Sequence, residues 1–232
     1  MKPLIKLLLL LPCMVTLNGI NWVEAADAER SPVPVLQQQA IQFPSSRLTQ
    51  AANQPVLKLS SIDRLGLKPG QAVVTGNNGK YTARILIQGT VAQVWSVLTD
   101  YDNYENFMPN MTASKVVSTK GNQYVVEQVD RYRILLFTTT ARTRLSITET
   151  PQESYSFQMM EGKLQKLQGR WSLQPIVDAK GSTTNHVLVT ATIEAQPLPS
   201  TPKDIFFNLF QNTLRDRLQA VNTEVRNRSR RG

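Results

Sequence analysis

One histidine, His186, one cysteine, Cys13, and a close trio of carboxylates, Asp100, Asp102 and Glu105, are the residues from which proton-transfer, thiolate or metal chemistry would have to be assembled. His186 takes the strand parity opposite Val187 and Val189, which makes it a surface residue. With no second histidine there is no zinc constellation. The three carboxylates are accounted for by helix capping and solvation. No Gly-x-Ser-x-Gly elbow, phosphate loop or dinucleotide fingerprint occurs, so no catalytic centre, metal or cofactor is implied. What the chain offers instead is adaptable apolar surface: Tyr101, Tyr104, Phe107 and Met108 gather three rings and a thioether within eight residues.

Those four side chains must be placed by the segment that carries them, residues 80–109. Tyr81, Ala83, Ile85 and Ile87 alternate with Thr82, Arg84, Leu86 and Gln88, a strand pattern rich in β-branched and aromatic residues, and Gly89 ends it. Thr90 and Gln93 stand at capping-box spacing, and Val91, Val94, Trp95 and Leu98 form one apolar helical face. Asp100 or Asp102 can cap a second short helix that stops before Pro109.

This strand followed by a capped helix, with Val-Trp-x-Val-Leu-x-Asp-Tyr-x-x-Tyr-x-x-Phe-x-Pro from Val94 to Pro109, resembles the opening of the START-like superfamily, in particular its polyketide cyclase/dehydrase and coenzyme Q-binding branch in cyanobacterial form. The resemblance extends over residues 78–226. It implies an α+β helix-grip fold, a curved antiparallel sheet wrapped around a long C-terminal helix with an apolar ligand held between them. It carries no catalytic signature, so it speaks to fold more than to chemistry.

The remainder of the chain fits that expectation. Strands are expected over 113–119, 124–133, 134–149, 154–161, 164–177 and 184–196, separated by turn signals. Phe137, Ala141, Leu145 and Ile147 share one parity; so do Tyr155, Phe157 and Met159, then Leu167, Gly169, Trp171 and Leu173, then Val187, Val189, Ala191 and Ile193. Each strand therefore has one apolar face. After the break at 197–202, Thr201, Pro202 and Asp204 suit the N-cap, N1 and N3 positions of a helix. Phe206, Phe210, Leu214, Leu218, Val221 and Val225 then recur every three or four residues. Residues 56–74 are expected to add a hairpin-like extension at the sheet edge.

Taken singly, Trp95, Phe137, Phe157, Trp171, Phe206 and Phe210 read as core. Together, on the faces that the resemblance aims at a cavity, they are expected to line it, with Met159 adding an adaptable surface and Tyr101, Tyr104, Phe107 and Met108 at the mouth. A buried Arg or Tyr in such a cavity would polarise a ligand carbonyl, but the sequence singles out none.

Lys2 and Lys6, an apolar run from Leu7 to Leu17 and small residues at Ala25, Ala26 and Ala28 follow the order of a secretory signal peptide over residues 1–25. The apolar run is shorter than the roughly 20 residues a membrane span needs. An uncleaved anchor is the alternative. Leu10-Leu11-Pro12-Cys13 superficially matches a lipoprotein box, but proline precedes the cysteine. Cys13 falls within the signal, so the mature chain would hold no thiol. Residues 26–55, with Pro32, Pro34 and Pro44, form a Pro/Gln-rich linker. The ligand-binding domain spans 56–228 and a basic tail 229–232.

The chain has 26 Lys and Arg against 17 Asp and Glu, a net charge of +9. Removing residues 1–25 takes away Lys2, Lys6 and Glu24 and leaves +8. A basic body ending in Arg226, Arg228, Arg230 and Arg231 suits an anionic membrane surface. Export to the periplasm, or to a thylakoid lumen, argues against nucleic acid as the partner. The reading is an exported binding protein for an apolar small molecule such as a lipid, isoprenoid quinone or pigment. A cyclase/dehydrase-type enzyme using the same cavity and an assembly factor binding a protein partner are the alternatives.

Overall fold

The computed structural model describes residues 57–58, 66–134 and 137–231. The segments expected to be a signal peptide, residues 1–25, and a linker, residues 26–55, fall outside the described residues, as does the side chain of Phe137.

Eight strands form one antiparallel sheet: β2 (Val73–Asn77), β3 (Lys80–Gln88), β4 (Met111–Lys120), β5 (Gln123–Ile134), β6 (Phe137–Thr150), β7 (Ser154–Glu161), β8 (Leu164–Val177) and β9 (Thr183–Pro197). Their order is β2-β3-β9-β8-β7-β6-β5-β4, so the first long strand pairs with the last, Ile85 opposite Val189. Between β3 and β4 lie helix α1 (Val91–Leu98) and a 3₁₀ turn (Tyr101–Asn106), and helix α2 (Lys203–Arg231) closes the chain. The sheet curves around α2 in a helix-grip arrangement, the expected α+β fold.

The alternation in β3 and β9 determines what the sheet offers α2. Tyr81, Ala83, Ile85 and Ile87 share the inner core with Val187, Val189, Ala191 and Ile193, and all eight are buried. Against them α2 places Leu214, Leu218, Val221 and Val225. Gly89 lets strand, α1 and α2 meet closely: its φ is +148°, and a Cβ there would stand 3.3 Å from Val225 Cγ1.

Several local expectations are corrected. The capping box of α1 forms, with Gln93 N donating to Thr90 Oγ1 at 3.2 Å and Thr90 N to Gln93 Oε1 at 2.9 Å. The buried face is Val94, Val97 and Leu98, an i, i+3, i+4 set, leaving Val91 and Trp95 at its partly buried flanks. Asp100 stands at the N-cap of the 3₁₀ turn but makes no side-chain cap bond, and Asp102 lies within the turn. Asp100 accepts from Asn103 Nδ2 and Arg228 Nη2, at 2.8 and 2.7 Å, and Asp102 accepts from the Val116 amide at 2.7 Å, so both tether the turn to its neighbours. Helix α2 starts one residue later than expected. Phe206 N donates to the Pro202 carbonyl, making Pro202 the cap, while Thr201 N closes a turn on Leu198.

The N-terminal extension is not one hairpin at the edge. β2 does turn back onto β3 there, but β1 (Leu57–Lys58) pairs in parallel with Ile176 and Val177 of β8. On the outer face of the sheet Leu67 covers Leu86, Ile176 and Leu188 in a second, smaller core. Leu86, on the polar parity of β3, is buried for that reason.

Candidate ligand-binding site

Along the first half of α2 the sheet and helix part, leaving a cavity of about 320 Å³. β4 to β9 supply one wall and α2 the other, through Phe206, Leu209, Phe210, Thr213, Leu214 and Arg217. Met111, Leu145, Ile147, Phe157, Leu167, Trp171 and Ile193 make most of the sheet-side lining apolar. Gly169, on the same parity as Leu167 and Trp171, has no side chain to offer. A Cβ there would meet Phe157 Cζ at 2.8 Å and the Thr192 carbonyl oxygen at 2.7 Å, so the Phe157 ring lies across the glycine.

The floor is aromatic. Tyr101 and Tyr104 meet edge-on with centroids 5.6 Å apart, Tyr155 lies edge-on to Tyr101 at 6.1 Å, and Trp171 stacks on Tyr155 at 6.1 Å. Two of the phenols are satisfied within the protein: Tyr101 donates to Glu149 Oε1 at 2.8 Å, and Tyr104 donates to the Leu98 carbonyl. Burial pushes all three phenols above their ordinary value and raises the Glu149 carboxyl as well.

One side of the wall is polar. On β5 the inward parity of Val126 continues through Gln128, Asp130 and Tyr132, which places two buried polar groups and a phenol against α2. Arg217 Nη2 donates to Asp130 Oδ1 at 2.5 Å. Burial opposes the charge of Arg217, yet Asp130, Tyr132 and Tyr104 together hold the guanidinium above its ordinary pKa. Among the described residues no three His, Cys, Asp or Glu side chains come together to hold a metal.

Of the residues expected to bind ligand, Tyr101, Tyr104, Met108, Phe157, Trp171, Phe206 and Phe210 line this one cavity. Tyr101, Tyr104 and Met108 are only 3 to 6% exposed, so they form the floor instead of the expected mouth. The fully exposed members of the wall are Thr139 and Lys163, and Leu164, Thr201 and Phe206 beside Lys163 are among those partly exposed, which puts the opening near the β7–β8 turn and the start of α2. Trp95, Phe107 and Met159 pack against the core outside the lining. Phe107 lies edge-on to Tyr104 at 5.6 Å with the Arg228 guanidinium 5.7 Å from its centroid, behind the floor. Asp130, Tyr132 and Arg217 were not anticipated. The signals were the β5 alternation and the position of Arg217 three residues after Leu214 on the apolar stripe of α2.

A sheet gripping a long helix over an apolar cavity defines a START-like protein. The chain belongs to the polyketide cyclase/dehydrase and lipid transport family, whose sequence profile matches residues 87–221. Among solved structures, a START superfamily protein from Mycobacterium smegmatis is similar over 63% of this chain and 96% of its own, with 11% identity and a TM-score of 0.53. A STAR-related lipid transfer protein from Xanthomonas axonopodis is similar over 67% and 92%, with 16% identity and a TM-score of 0.51. The di-domain ARO/CYC StfQ from the steffimycin biosynthetic pathway is similar over 69% of this chain and 52% of its own, with 12% identity and a TM-score of 0.52. At these identities the likeness is one of fold. A comparison with curated proteins finds no match.

Proposed function

We propose that this chain is an exported carrier that binds an apolar small molecule, such as a lipid, an isoprenoid quinone or a pigment, between the sheet and α2. The observation that carries this reading is the 320 Å³ cavity with its largely apolar and aromatic lining. A core of this kind normally closes to crystal-like density, so space held open by rings on both walls is suited to a guest. Native mass spectrometry with lipid extraction, on protein purified from its own host, should find one apolar molecule per chain. Recovery of none, together with no binding of apolar dyes, defeats the reading.

A second reading, a cyclase/dehydrase-type enzyme, is favoured by the Asp130–Arg217 pair and Tyr132 in the wall. Single replacements of cavity polar groups separate the two. A carrier changes its affinity modestly, whereas an enzyme with one essential acid or base loses about a hundredfold or more in rate. Export rests on the Lys–apolar–small-residue order of the first 28 residues. Sequencing of the mature protein should begin near Ala26 or Glu29, and a protein that keeps Met1 overturns it.

The basic C-terminus serves a membrane surface less simply than its charge suggests. Arg228 is engaged by Asp100 and Glu224 at 2.7 and 2.8 Å, which leaves Arg226, Arg230 and Arg231 as the exposed cations of that end. No described helix is long and apolar enough to cross a membrane.

A further inference from the structure

Tyr101 and Tyr104 reach the cavity floor from a six-residue 3₁₀ turn, and 3₁₀ runs longer than about four residues are uncommon without support from elsewhere. That support comes from the far end of α2. Arg228 stands about 27 Å along the helix from Phe210 and outside the cavity lining, yet its one guanidinium meets both ends of the turn. At the start, Nη2 donates to Oδ2 of Asp100, the N-cap residue, at 2.7 Å. At the close, the guanidinium carbon stands 5.7 Å from the ring centroid of Phe107, the C-cap residue, within cation–π reach. Phe107 lies edge-on to Tyr104 at 5.6 Å, and Tyr104 edge-on to Tyr101 at 5.6 Å, so the contact continues into the two floor rings.

The guanidinium is itself held. Nε donates to Glu224 Oε1 at 2.8 Å, one turn back on α2, and Nη1 donates to the Ser96 carbonyl of α1 at 3.4 Å. All three nitrogens are committed while the plane covers Phe107, a combination that the point charge of a lysine cannot reproduce. The Asp100 and Glu224 side chains are only 23 and 17% accessible, which shields both pairs from the screening that weakens exposed ones. Arg226, Arg230 and Arg231 of the same helix end are exposed instead. The capping box of α1 lies at the other end of that helix and takes no part.

We infer that Arg228 is a positioning residue for the cavity: from outside the lining it clamps both caps of the turn, and so sets where Tyr101 and Tyr104 stand and how tightly an apolar guest is held. The inference rests on the cavity being a ligand site, as proposed above. It gives this arginine a task distinct from the charge it contributes to the basic C-terminus.

Binding of the uncharged dye N-phenyl-1-naphthylamine to the full-length protein, read beside near-ultraviolet circular dichroism of the aromatic cluster, tests this. Arg228→Lys keeps the charge and loses the fork; it should weaken dye binding about threefold to tenfold and reduce the aromatic signal. Asp100→Asn, which leaves α2 untouched, should do the same and carries the test if the lysine variant folds poorly. Combining the two should add little to either alone, since both open one clamp. Arg230→Gln should change neither reading. Wild-type affinity and an unchanged aromatic signal in both clamp variants, even with lower stability in urea, overturn the inference and leave the carrier reading standing. Full multiplication of the two effects in the double variant, or an equal loss in Arg230→Gln, also overturns it. If the wild type binds no dye, the carrier reading fails and the inference fails with it.

Discussion

The two halves of α2 share one sequence rhythm and face opposite packing conditions. In the second half Leu218 and Val221 are fully buried and Val225 almost so, pressed between α1 and the inner face of β3. In the first half Phe206 and Phe210, in the same i, i+4 register, are only partly buried and stack on each other at 5.6 Å along the edge of an open cavity. Over a helix about 43 Å long, the same periodicity thus encodes a packed core at one end and a binding wall at the other. Apolar spacing identifies the face that turns away from water; it does not say whether that face will meet protein or guest.

The sharpest way to break this contrast is to truncate each half. Leu218→Ala should cost about 2 to 5 kcal/mol in denaturant unfolding, the transfer loss plus a dry hole. Phe210→Ala should cost less, about 1 to 2 kcal/mol, because a ring beside existing space already lacks partners on one side. It should leave a folded protein with altered binding of apolar dyes, and Phe210→Trp should reduce that binding by filling the space. A full core penalty at Phe210, with no dye bound by the wild type, would make the two halves equivalent and remove the cavity.

Thr90→Ala sharpens the closed end. It removes one of the two reciprocal bonds of the capping box and should cost about 1 kcal/mol by thermal or urea melts. Dye binding should be unaltered, since α1 supplies no lining residue. A change in affinity would show that the closed end sets the shape of the open one.

The smallest expected effect lies in the cavity floor and is read from pH dependence. Burial raises the Glu149 carboxyl above its ordinary value of 4.5. The folded state therefore binds its proton more tightly than the unfolded chain does, and stability from this group is present below 4.5 and lost as pH rises through the folded pKa. Glu149→Gln keeps an oxygen to accept from Tyr101 and removes the titration. Relative to wild type, the variant should gain stability between pH 4 and pH 7; a constant difference across that range would show that the carboxyl is not perturbed.

The boundaries of β3, β7 and β8 coincide with those expected from alternation and turn residues, because an apolar face against a polar one specifies both strand and register. α1 and its capping box were equally legible, since they depend on residues three apart in sequence. Interactions across long separations were not. Asp100 and Arg228 are 128 residues apart, and the Asp100 carboxylate, at the N-cap of the turn, bonds Arg228 and Asn103 side chains in place of the turn's amides. The burial of Leu86 depends on Leu67, which covers it on the outer face of the sheet. Seven of the expected ligand residues converge on the cavity, Phe157 and Trp171 because strand parity placed them inward and Phe206 and Phe210 because they share one face of α2, with Tyr101, Tyr104 and Met108 carried in by the turn before β4. Trp95 and Phe107 do not, because being aromatic on an apolar face carries no information about which side of the floor a ring will occupy. The polar wall was readable in part: an inward parity running Val126, Gln128, Asp130, Tyr132 is not that of a close-packed strand.

The missing side chain at Gly169 couples the width of the cavity to the pairing of β8 with β9. The backbone there is paired on both sides, to Phe157 on β7 and to Ile193 on β9. A Cβ would stand 2.8 Å from Phe157 Cζ and 2.7 Å from the Thr192 carbonyl oxygen. The ring can tip away from β8 and into the hollow, but the carbonyl is main chain and yields only if β9 moves with it. An added methyl would therefore narrow the chamber and strain the sheet together, so that a bare backbone at this one position keeps both the room and the register.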